Sequence, residues 1–529
     1  MIESIFPYII RLLALTFRIS TEQAYKNFQK VQRGSFCGPH SLVLKSVIAA
    51  NVLNERIVKN SHMQYIQYPF LWLQSIFRRF GHWREGLLDN EQKNGKKNTI
   101  SVLDGVRGVA VLMVIVFHVN RVTGDNLWNQ AANPLASSIS TAGGIGVTLF
   151  FVLSGFLLFM PFAKAILYKT NWPLVRVFYV RRVLRILPAY YVSLFLLILF
   201  EYPEYLHRDH LKSLALFLTF FMDSTRATFR QINGPYWTLA TEWQFYMLLP
   251  LIALGIAFLV SRVPIKRRLP AVTFCLLGII AWGLFIRYWG LYYLKYPSQT
   301  FLVPRSVLDV ILFFSFGITG KYTEDFAIGM FISLCYIYTQ HPTTDDKIVR
   351  VWQRLSPLMW AGGILLVVFI AMWHFKDGYA SWSWPFLDGI MPDFDWLNEM
   401  LLAIGFGACI AAILYGSAGL KTIFNWPLLR GVGLISYSLY IWHLPLLVLF
   451  QSRVMPLLQY LHLNRYATYS LYWLWVLLII FPFAFLSYLI VEKPWMKLGD
   501  HWRIAIEKSH REKLKMQEAS VTRQQTFTE

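Results

Sequence analysis

The sequence predicts an all-α, polytopic membrane bundle of about ten transmembrane helices with both termini cytoplasmic. Three observations carry that expectation. First, 56% of the 529 residues are hydrophobic and only 15% are charged, with mean hydropathy +0.43. A soluble domain is nearer half apolar and a quarter charged, so a water-soluble enzyme is excluded. Second, ten stretches approach the roughly 20 apolar residues needed to cross a bilayer. Third, Lys and Arg (50 against 29 Asp and Glu) concentrate in loops on alternate sides of those stretches, as the positive-inside rule requires. The basic residues are dispersed between apolar spans, which excludes nucleic acid as a partner and leaves the lipid bilayer as one.

The expected spans lie near 102–121, 144–163, 187–203, 237–260, 270–294, 324–339, 357–375, 398–418, 431–451 and 468–490. The loop from Lys164 to Arg185 carries six basic residues and no acid. Arg262, Lys266, Arg267 and Arg268 form a second basic loop. Lys347, Arg350 and Arg354 help mark a third, and Lys421 and Arg430 a fourth. The segment 376–399 has one Lys and five acids, and reads as external. Leu211–Met222 is too short to cross and is expected along the outer face or re-entrant; 301–320 is expected as a short outer helix or hairpin.

Residues 1–100 form a cytoplasmic extension with 14 Lys or Arg and 6 Asp or Glu, suited to interfacial amphipathic helices on an anionic leaflet. No secretory signal is expected, because Glu3, Pro7 and Arg11 interrupt the first apolar run. Residues 101–495 make the membrane domain, and 496–529 a charged cytoplasmic tail. The multi-pass chain is expected in the inner or plasma membrane. The four cysteines stand apart, without metal-ligand spacing, so no metal is expected.

Ionisable groups inside spans are costly and point to function. In the first span, Arg107 and His118 are eleven residues apart, which returns to nearly the same helix face about 16 Å along the axis. Glu242 opens the fourth span about 9 Å below its outer edge. His118 and His443 fall about 8 and 12 Å from the same surface, so these three groups are expected to meet. Arg182 and Arg185 share a helix face and, with Arg107, suit a phosphate-rich donor. His118 is then positioned to take a proton from an attacking hydroxyl, with Glu242 orienting the imidazole. That is acyl transfer across a membrane. The competing reading is a proton-coupled transporter or flippase using the intramembrane His and Glu; the lack of an inverted repeat weighs against it.

At these residues the chain closely resembles the membrane-bound acyltransferase 3 family. LDGVRGVAVLMVIVFH carries that family's Arg-x10-His spacing in Arg107 and His118, and Gly146–Leu158 resembles its second-span signature. Arg182-Val-Leu-Arg185 matches its RxxR motif; Tyr236–Pro250, Ile435–Leu447 and Val491–Trp495 resemble its later motifs, in the family's order. Thr238 stands where the family often has Ser, and Lys321-Tyr322-Thr323-Glu324-Asp325 departs from its usual opening of the sixth span.

The resemblance implies a ten-span fold and a cytoplasmic acyl-coenzyme A co-substrate, with acetyl-coenzyme A expected. It also implies a carbohydrate or lipid-linked acceptor outside. By resemblance His118 is the essential histidine, as general base or transient acyl acceptor; depth along the spans, not the resemblance, sets Glu242 and His443 beside it. Arg107, Arg182 and Arg185 serve the donor.

Overall fold

The computed structural model describes residues 101–123, 142–342, 344–374, 395–458, 460 and 462–526. The expected N-terminal extension and most of the acidic segment 376–399 lie outside the described residues. Every described element is helical.

Two features of the first helix, α1 (Val102–Val122), fix its place. Its buried stripe of Val106, Ala110, Val114 and similar residues recurs every third or fourth position, the spacing of one helical face. Its small residues admit a neighbour's backbone. Helix α2 (Gly146–Tyr168) and α3 (Val175–Phe200) follow, then α4 (Leu211–Leu218), which has eight residues. Eight residues rise only about 12 Å, so α4 cannot cross, as expected for that stretch. Helix α5 (Tyr236–Leu259) and α6 (Arg268–Lys295) are long; α7 (Arg305–Ser315) is an 11-residue helix, in line with the short element expected at 301–320. Then come α8 (Thr323–Thr339), α9 (Asp346–His374), α10 (Asp395–Tyr415), α11 (Ala418–Phe424), α12 (Pro427–Leu434) and α13 (Ser436–Leu449). The last stretch comprises α14 (Arg465–Trp475), α15 (Phe481–Ser487) and α16 (Lys493–Thr526), joined by π turns at Val476–Ile480 and Tyr488–Glu492.

Among the described residues, nine helices are long and apolar enough to cross a membrane. The tenth expected span, 324–339, is the 17-residue α8, shorter than those nine. It opens with Glu324 and Asp325, both fully buried. Its Glu324 Oε1 accepts from Arg287 Nε of α6 at 2.5 Å, and the guanidinium lies 4.5 Å over the Tyr322 ring. A charge removed from water needs such a partner. Nearby, Lys321 Nζ lies 2.5 Å from Asp223 Oδ2 and holds the segment before α5 against the approach to α8.

Three element edges differ from the sequence expectation. Helix α3 begins at Val175 instead of near 187, so the RxxR motif is helical. The ninth span is broken at Ile435 into α12 and α13. The charged tail continues the final helix, with Arg503 and Glu507 3.6 Å apart at i,i+4 spacing. In the first and third cases polar residues read as flanks are helix formers that extend an apolar segment. The outward surface stays apolar: Phe258 of α5 and Phe274 of α6 are 77% and 78% exposed, as expected for side chains that meet lipid tails.

Close helix crossings rest on small residues, as is usual in membranes. A Cβ on Gly433 of α12 would overlap the Asp104 carbonyl of α1. Gly433→Val is therefore expected to destabilise the fold by about 1–3 kcal/mol through overpacking. Thermal unfolding of the purified protein in detergent reads this as a lowered Tm.

Candidate active site

The site residues expected from sequence, His443 apart, line two cavities. One, of about 730 Å³, is lined by His118 and Arg121 near the C-terminal end of α1, and by Pro235, Trp237 and Thr238 at the N-terminal end of α5. The C-terminal end of α3 and the C-terminal half of α13 complete it. The other, of about 90 Å³, is lined by Arg107, Arg182 and Arg185 with Glu242, Ser154, Tyr246 and Ser436. Arg107 and His118, on one helix, thus face different cavities.

In the histidine cavity, His118 and His443 are paired. His118 Nδ1 lies 2.9 Å from the Val114 carbonyl and 3.1 Å from His443 Nε2. His443 Nδ1 lies 2.9 Å from the Leu439 carbonyl, and the ring centroids are 4.8 Å apart. A carbonyl oxygen can only accept, so these partners assign the neutral tautomers. Each Nδ1 carries its proton and donates to the carbonyl one turn back. His443 Nε2 is then a lone-pair acceptor for the His118 Nδ1–H, shared with Val114. His118 Nε2 is left with an unprotonated lone pair. His443 is fully buried, whereas His118 is half-buried at the cavity wall.

Glu242 does not join this pair. Its carboxylate accepts from Ser154 Oγ of α2 at 2.5 Å and from Tyr246 OH one turn along α5. It faces the arginine cavity. The expected three-way meeting of His118, Glu242 and His443 is therefore corrected to a histidine pair and a separate carboxylate. Depth along a span was legible; the direction in which Glu242 points was set by Ser154 and Tyr246, which the depth argument did not include.

The three arginines expected to act together do converge. Arg107 Nη1 pairs with Asp104 Oδ1 at 2.7 Å, and the Arg182 guanidinium lies 5.8 Å from the Tyr246 ring centroid. Among the described residues neither Arg182 nor Arg185 has a carboxylate within 4.0 Å. Two guanidiniums without acid partners are well suited to phosphate, which their planar forks grip in a bidentate manner. A space of about 90 Å³ holds only about three waters at bulk density. A space of that size admits a slender group and excludes a bulky one.

Val147, Thr238 and Tyr440 line both cavities. The Thr238 and Tyr440 hydroxyls are hydrogen-bonded at 2.5 Å, and both side chains are buried. This thin partition is not evident from the sequence, where Thr238 stands out only as a substitution within a motif and Tyr440 only as the tyrosine of the Tyr-x-x-His stretch that ends at His443. Among the described residues no group of His, Cys, Asp and Glu is placed to hold a metal.

Comparison with known proteins adds an independent line. Residues 100–492 match the acyltransferase 3 family, described as an acyltransferase domain. OatA of Listeria monocytogenes, a peptidoglycan O-acetyltransferase, is 25% identical over 363 residues, 66% of this chain and 49% of the relative. YrhL of Bacillus subtilis, provisionally named a peptidoglycan O-acetyltransferase, is 26% identical over 363 residues, covering 66% and 48%. A provisionally named O-acetyltransferase of Staphylococcus aureus is 25% identical over 423 residues, covering 77% and 59%. The chain thus spans about half to three-fifths of the length of these curated relatives. No solved structure matches.

Proposed function

Because the chain belongs to the acyltransferase 3 family, we propose that it moves an acyl group, acetyl by analogy with its relatives' names, from cytoplasmic acyl-coenzyme A to a glycan hydroxyl outside. The relatives named for peptidoglycan make a peptidoglycan-like glycan the favoured acceptor. One observation carries the reading. His118 presents a bare Nε2 at the wall of a large cavity, and only the Thr238–Tyr440 partition separates that cavity from an arginine-lined one.

The residues support the following chemistry. Arg107, Arg182 and Arg185 hold the donor's phosphates at the cytoplasmic mouth, and the thioester arm passes the partition when the Thr238–Tyr440 hydrogen bond opens. His118 Nε2 removes the acceptor hydroxyl proton as the oxygen attacks the thioester carbonyl. Collapse forms the ester and breaks the C–S bond; the imidazolium returns its proton to the departing thiolate, giving free coenzyme A. His443 holds the His118 tautomer and accepts from its Nδ1–H, the role of the third group in a base relay. Glu242 orders Ser154 and Tyr246 beside the donor arm.

The test supplies isotopically labelled acetyl-coenzyme A on one side of vesicles containing the full-length protein and glycan oligomers on the other. Label is expected on the glycan as an alkali-labile ester, with coenzyme A released on the donor side. Label that never reaches the glycan, with an intact fold by thermal melt, would defeat the proposal.

A further inference from the structure

We infer that the acceptor bound in the histidine cavity is anionic, a saccharide bearing carboxylate or phosphate that Arg121 and Arg230 grip while Asn233 takes one of its hydroxyls. This rests on the reading of that cavity as the acceptor side. Both arginines line it together with His118. Among the described residues neither has a carboxylate within 4.0 Å. Both side chains are exposed to that space. Two like charges facing one space are unfavourable until an anion enters.

The cavity's own acids do not supply that anion. Glu399 accepts from Thr148 Oγ1 at 2.9 Å, and Glu201 is exposed beyond the end of α3. Neither pairs with Arg121 or Arg230. A second observation points to a polar ligand. Asn233 is 2% exposed, with Nδ2 donating to the Ile441 carbonyl at 2.8 Å. Its Oδ1 has no partner among the described residues. A buried amide oxygen left so costs about 1–3 kcal/mol, and a sugar hydroxyl would satisfy it. Trp237, also on the wall, offers an apolar ring for a sugar face.

The backbone here is held in an unusual state. Of the seven non-glycine residues with positive φ among those described, Arg230 (60°), Ile232 (59°) and Tyr322 (53°) all line this cavity. The left-handed region is disfavoured for such residues, β-branched Ile above all, and strain of this kind gathers at ligand sites. It aims Arg230 and Asn233 from one short segment.

The experiment measures direct binding of three oligosaccharides to the full-length protein in lipid nanodiscs. One carries uronate carboxylates, the second is the same oligomer with those carboxylates converted to amides, and the third carries sugar phosphates. At least one anionic oligomer is expected to bind about tenfold more tightly than the amide, with the advantage shrinking as salt rises. Whether uronate or phosphate leads identifies the source of the charge. Arg121→Gln and Arg230→Gln should each reduce the advantage, and Arg230→Lys should restore part of it if charge is what is read. Equal affinity for all three oligomers, or an advantage that persists in the double Gln variant, overturns the inference. An anionic preference that persists in a protein that transfers no label would uphold this inference while defeating the acyltransferase reading.

Discussion

His118→Ala is expected to lower kcat for acyl transfer by about 10²- to 10⁴-fold, the usual contribution of a positioned general base, while leaving the donor KM nearly unchanged. The split follows from geometry. The imidazole lies on the wall of the large cavity, and the guanidiniums that would hold donor phosphates lie around the small one. His443→Leu should give a smaller fall, about tenfold. It removes one acceptor of the His118 Nδ1–H at 3.1 Å, but the Val114 carbonyl at 2.9 Å still holds that tautomer. Glu242→Gln separates this arrangement from the one expected from depth alone. A carboxylate that oriented His118 would, on loss of its charge, resemble His443→Leu and act on kcat. A carboxylate held by Ser154 and Tyr246 beside the arginines should disturb the donor KM instead. Steady-state kinetics with labelled donor, on variants whose thermal melts match the parent, read all three. Ordinary turnover in His118→Ala would remove that histidine from the chemistry.

The contrast between His443 and Glu242 shows what a sequence of this kind carries. Apolar length fixes where a helix crosses, and residue count along it fixes depth; both histidines were placed at matching height in that way, and they meet. Side-chain direction is set by neighbours distant in the chain, Ser154 for Glu242 on its helix and Ile441 for Asn233 just before α5. Nothing within a single span announces those partners. The arginines were legible because three conditions coincide: i,i+3 spacing in Arg182 and Arg185, a basic loop, and Arg107 one turn into α1. Arg121 and Arg230 were not singled out, because one lies at a helix end and the other in a short irregular segment between α4 and α5, where an arginine reads as an ordinary polar flank. The partition made by Thr238 and Tyr440 was hidden for the same reason: it is a contact between helices separated by 202 positions.

Arg182→Ala and Arg185→Ala should each raise the donor KM by roughly 10- to 100-fold, with a much smaller effect on kcat. The magnitude is that of one charge-assisted hydrogen bond, about 1.5–3 kcal/mol, and the direction follows from where the bond forms. A phosphate held at the mouth of the small cavity contacts these forks equally before and during transfer, so their loss weakens ground-state and transition-state binding alike and leaves kcat standing. Lysine at either position should recover only part of the affinity, since it restores charge without the planar pair of donors. Arg107 is expected to respond less: its guanidinium already pairs with Asp104 at 2.7 Å, and that pair must loosen before it can serve a ligand. The measurement is the initial rate against acyl-coenzyme A concentration at saturating acceptor, repeated with a truncated donor that keeps the acyl-pantetheine arm but lacks the nucleotide phosphates. With that donor the Arg182 and Arg185 variants and the parent should converge. Should kcat collapse instead while KM holds, the guanidiniums would belong to the reacting centre, and the division of the chain into a donor cavity and a chemical cavity would have to be redrawn around the partition at Thr238 and Tyr440.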